Sequence, residues 1–80
     1  MNIPDRVNGK WVATLDDIGL VEAEAQLHAD FRRQDVAEKA RRGTKYRLLE
    51  GPATLVDAWL RWGMVSNEAR KRGLVTQHLT

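Results

Sequence analysis

Eighty residues with no cysteine and a formal charge of only +2 allow one small core. They exclude a disulfide framework and a cysteine-based zinc site, and the net charge alone does not point to nucleic acid. No apolar run nears the roughly 20 residues that span a bilayer, and Met1 to Arg6 lacks the apolar stretch of a signal peptide. The expectation is a mainly α, single-domain cytoplasmic protein over residues 1–80, with loose ends at about 1–6 and 76–80 and no membrane partner.

Asn8-Gly9 is a hairpin turn signal, but its flanks are short and Pro4 interrupts them. Trp11 to Ala13 is expected as an extended lead-in or short strand whose Trp11 packs over the helices. Thr14 and Asp17 have the Thr-x-x-Asp spacing of a helix start. From Asp16 to Arg42 the composition is helical. Leu20, Ala23, Leu27 and Phe31 share one face. Val21, Ala25, His28, Ala29, Val36 and Ala40 mark a second face of mostly small residues, suited to close approach by another helix. A second Asp-x-x-Glu signal at Asp35 and Glu38 allows a break near Gln34. Arg41, Arg42 and Gly43 close the helix.

Charge is polarised along the chain. Between Trp11 and Phe31 every charged residue is acidic. From Lys39 to Arg47 five of the nine residues are cationic, with Tyr46 among them. Thr44 to Glu50 is expected as a link with an extended piece near Tyr46.

The stretch from Pro52 to Gly73 is the most apolar and holds Trp59 and Trp62. Thr54 and Asp57 form another helix-start pair, and Arg70, Lys71, Arg72 and Gly73 form a stop. Leu55, Trp59, Trp62 and Ser66 fall on one stripe, with Val56, Leu60 and Met64 beside it. Gly63 costs roughly 1 kcal/mol in a helix interior. A stop at Gly63, with Ser66 capping a second short helix, is the favoured reading. The two long segments are expected to fold into an antiparallel hairpin, with Leu27, Phe31, Leu55, Trp59 and Leu60 as its core.

Chemistry-bearing patterns are sparse. His28 and His78 are isolated, Asp16 and Asp17 point apart on a helix start, and Ser66, the only serine, has no His near it. Phosphate-loop and dinucleotide patterns are absent. No enzyme, metal or cofactor is expected.

Gln34 to Ala40 followed by Lys45 to Gly51 has the outline of a helix-turn-helix. Its spacing departs from that motif: the turn glycine belongs at position 41, and Gly43 comes two residues late. No family is assigned on this outline. The expected function is a non-enzymatic regulatory or accessory role. Its binding surface is Lys39, Arg41, Arg42, Lys45, Tyr46 and Arg47 with an exposed Trp62, docked onto a larger protein or protein–nucleic acid complex. The alternative is a helix-turn-helix-like DNA- or RNA-binding regulator using the same cluster. A small chain with a wide apolar helix also suits either dimerisation or docking to a larger partner.

Overall fold

The computed structural model describes residues 2–74. Among the described residues there are three helices, α1 (Gly9–Ala13), α2 (Asp17–Arg42) and α3 (Ala53–Lys71), and two single 3-10 turns, Gly43–Lys45 and Leu48–Glu50, lie between α2 and α3. Helices α2 and α3 form the expected antiparallel hairpin, and α1 packs against α3.

Each boundary has a local cause. Asn8 takes the N-cap of α1, its Oδ1 accepting from the Trp11 N–H at 2.9 Å. The Asn-Gly pair therefore starts a helix, and Trp11 is helical, not extended. Thr14 closes α1, its hydroxyl donating to the Trp11 carbonyl at 2.6 Å. Asp16 is the cap of α2, accepting from the Gly19 N–H at 2.7 Å. Helix α3 starts at Ala53 after Pro52, with no side-chain cap, so Thr54 lies inside it.

Of the two readings left open at Gln34, the single long helix is the one observed, and α3 continues through Gly63 in place of the favoured stop there. Ser66 is a buried mid-helix residue, not a cap.

At the end of α3, the Gly73 N–H donates to the Arg70 carbonyl and the Leu74 N–H to the Ala69 carbonyl. Gly73 has φ 75°, completing a Schellman turn. Leu74 folds back onto the core.

The core differs from the expected set. Leu20, Ala23, Leu27, Val65 and Ala69 form it with Val7 and Val12, and Ile3, Trp11, Leu15, Trp62 and Leu74 pack around them. Ile3 and Val7, near the expected loose end, thus lie against the helices. The expected tail at 76–80 falls outside the described residues.

Leu55 and Ala58 are also buried. Positions 55, 58, 62, 65 and 69 therefore make the α3 seam, at alternating spacings of three and four. Two of its members are alanines, which bring the helix axes close. The larger Trp59 (37% exposed) and Leu60 (53% exposed) are turned outward, because they sit beyond the edge of that seam. The second face expected on α2 is also solvent-facing: Val21, Ala25, Ala29, Val36 and Ala40 are exposed.

Candidate functional site: the basic end of the hairpin

The last turn of α2 and the reversal after it bring the basic cluster to one end of the molecule. Gly43, with φ 58° and ψ −128°, allows the reversal. It has the positive φ expected of it, in a region more restricted to glycine than the left-handed helical one. Tyr46 and Arg47 are extended between the two 3-10 turns, so the extended piece near Tyr46 is two residues long and pairs with no strand.

Two carboxylates organise the cations. Asp35 is 5% exposed. It accepts the Tyr46 hydroxyl and lies 3.2 Å from Lys39 Nζ and 4.0 Å from Arg32 Nη1. Lys39 Nζ also sits 5.6 Å from the centre of the Tyr46 ring. Glu38 receives Arg41 Nη2 through both oxygens at 2.9 Å and Arg42 Nε at 3.0 Å. Arg42 Nη1 reaches the Glu50 carbonyl at 3.4 Å, and Arg47 Nη1 the Tyr46 carbonyl at 2.9 Å.

Lys45 is exposed and makes no ion pair among the described residues. The five cations from Lys39 to Arg47 outnumber the carboxylates of Asp35, Glu38 and Glu50, and the cluster keeps a positive excess. Leu49, 72% exposed, sits beside it.

The surroundings of Tyr46 matter for binding. Partial burial, the hydrogen bond to Asp35 and the nearby carboxylates push its hydroxyl from the ordinary 10.0 up to about 12. With Lys39 over its ring and Asp35 on its hydroxyl, Tyr46 is a structural side chain of the turn rather than a free stacking platform.

Trp62 does not join this surface. Its Nε1–H donates to Glu24 Oε1 at 3.0 Å. Its ring stacks on Phe31 at 5.6 Å with an interplanar angle of 5°, and meets His28 edge-on at 5.0 Å. The expected exposed anchor is therefore an internal one. It supplies a donor to a fully buried carboxylate, which would otherwise be costly to bury. Sequence reasoning missed Glu24. Its spacing, four residues after Leu20 and three before Leu27, already placed a carboxylate on the apolar stripe.

The helix-turn-helix outline has no second helix. Leu48–Glu50 is a three-residue 3-10 turn, and a recognition helix needs several turns to fill a major groove. Among the described residues no group of three or more His, Cys, Asp or Glu could hold a metal ion, and no helix is long and apolar enough to cross a membrane. Comparison of the chain with protein-family models, curated proteins and solved structures finds no match.

Proposed function

We propose that this is a non-enzymatic, cytoplasmic accessory protein that docks onto an acidic surface of a larger protein through the basic end of its hairpin. The observation that carries the reading is the excess of cations around Gly43, held in place by Asp35 and Glu38, with Leu49 exposed beside them. Such a surface steers an acidic partner in, and an apolar side chain at its edge gives the contact something to bury. The occupied face and hydroxyl of Tyr46 favour a protein over a nucleic-acid strand, which would call for a free ring to stack on.

A photo-crosslinking side chain in place of Leu49 tests this in the native host. A protein adduct that disappears in Lys45→Glu/Arg47→Glu is the expected result. Among the described residues neither Lys45 nor Arg47 has a carboxylate partner, so the fold should be spared. An adduct with nucleic acid would replace this reading with the nucleic-acid one, and an adduct indifferent to the charge reversal would remove the role of the cluster.

A further inference from the structure

Helix α3 has a second, outward face. Trp59, Leu60 and Met64 are 37%, 53% and 42% exposed on it, with half-buried Val56 and Gly63 alongside. These side chains line shallow grooves on either side of Leu60, one continuing to Leu49 and the other to Asn67. Trp59, Leu60 and Met64 thus lie outside the seam that packs on α2.

We propose that this face is covered by the same face of a second copy of the chain, in an antiparallel two-fold pair. Two observations favour a second copy over another occupant.

The first is shape. A Cβ built on Gly63 meets nothing within 4 Å, so Gly63 leaves a hollow between the protruding Trp59, Leu60 and Met64. An antiparallel pair centred between residues 61 and 62 sets Leu60 over the partner's Gly63. The same centre sets Trp59 against the partner's Met64 and Val56 against the partner's Asn67. One register thus fills the hollow twice and pairs each indole with a thioether.

The second is charge. Exposed Lys71 borders the groove of Met64 and Asn67 and makes no ion pair among the described residues. The exposed carboxylate of Glu50, just before the other end of α3, likewise has no ion pair among them. Antiparallel pairing brings Lys71 of each copy to within two residues' register of the partner's Glu50.

This pairing reaches the basic end only beside Leu49 and Glu50, so the dimer presents two cationic clusters. Its test needs no other partner, and its failure is separate from failure of the docking reading.

Sedimentation equilibrium over a micromolar to millimolar series should give twice the mass of one chain at the upper end. Gly63→Leu and Leu60→Glu should each sediment as a monomer with an unchanged helical circular dichroism spectrum, because both positions are open in the single chain. The sequence has no cysteine, so orientation can be read directly. Val56→Cys mixed with Asn67→Cys should form a disulfide-linked pair, whereas each alone should not. Copies of the same position would lie about 16 Å apart along the helix axes. A monomeric wild type at all concentrations, a Gly63→Leu variant that still dimerises, or self-linking by the single-cysteine variants would each overturn the proposal.

Discussion

Tyr46 and Trp62 show how single side chains here are committed to partners that the sequence does not reveal. The Tyr46 hydroxyl is held up at about 12, against an ordinary 10.0. The folded state therefore holds that proton more tightly than the unfolded chain does. Its contribution to stability is complete below pH 10 and is lost as pH rises from 10 through about 12. Because Tyr46 is the only tyrosine, tyrosinate absorbance reports it alone. The native protein should titrate near 12, and the denatured chain near 10. Asp35→Asn should move the native midpoint back toward 10, and a native midpoint already at 10 would mean the Asp35 contact does not form in solution.

The tryptophans exchange the roles that the sequence suggested. Trp62→Ala should cost about 3–5 kcal/mol, since it removes the ring stacked on Phe31 and the donor to buried Glu24. Trp59→Ala should cost the single chain much less. Urea denaturation of the two variants at low concentration compares them directly, and an equal loss would contradict the outward placement of Trp59.

At the scale of the elements, the two long helices and their order were legible in the sequence, and so were the stops at Gly43 and Gly73, whereas α1 was not. Caps, turn glycines and terminal cations act within a few residues and need no knowledge of the fold. The α2 seam was legible too, because Leu20, Leu27 and Phe31 are large and regularly spaced. The α3 seam was not. Its centre is defined by Ala58 and Ala69, which carry little hydrophobic weight, while Trp59 and Leu60 drew the stripe to one side. Only the facing helix shows that close approach, rather than bulk, sets the register. The basic cluster was legible as a cluster, but its pairing with Asp35 and Glu38 was not. Those carboxylates belong to a helix that the sequence allowed to break at Gln34.

Gly63 looked like a break point because glycine weakens helices, yet tertiary packing of Val65 and Ala69 carries α3 through it. An added Cβ there has open space. Gly63→Ala should therefore stabilise the single chain by about 0.5–1 kcal/mol, measured by urea denaturation at low concentration. A destabilised variant would show that a close neighbour occupies that space.

For the molecule as a whole, the two ends of the hairpin are held by different forces, and this sets a gradient of local stability. The contiguous apolar cluster lies where α1, the first third of α2 and the last half of α3 meet: Val7, Val12, Leu20, Ala23, Leu27, Val65 and Ala69. Arg72 ties that end further. Its Nη1 donates to the Leu15 carbonyl at 2.7 Å and its Nε to Glu68 at 2.8 Å. At the other end no residue from Gly43 to Glu50 is buried. The turn there is held chiefly by the Tyr46–Asp35 hydrogen bond and by ion pairs within α2, which are worth little when exposed.

Local opening should therefore start at the basic end. In native-state hydrogen exchange, amides of the last turn of α2 and of residues 43–50 should exchange through small openings. Those of residues 20–27 and 65–69 should exchange only on global unfolding. Tyr46→Phe should speed exchange at the basic end alone and leave the slow core amides nearly unchanged, since it removes one hydrogen bond and no apolar contact. If the amides around Gly43 proved as protected as those of Leu27, the seam would have to extend along the full hairpin. The basic end would then be as rigid as the core end rather than the first part of the hairpin to open.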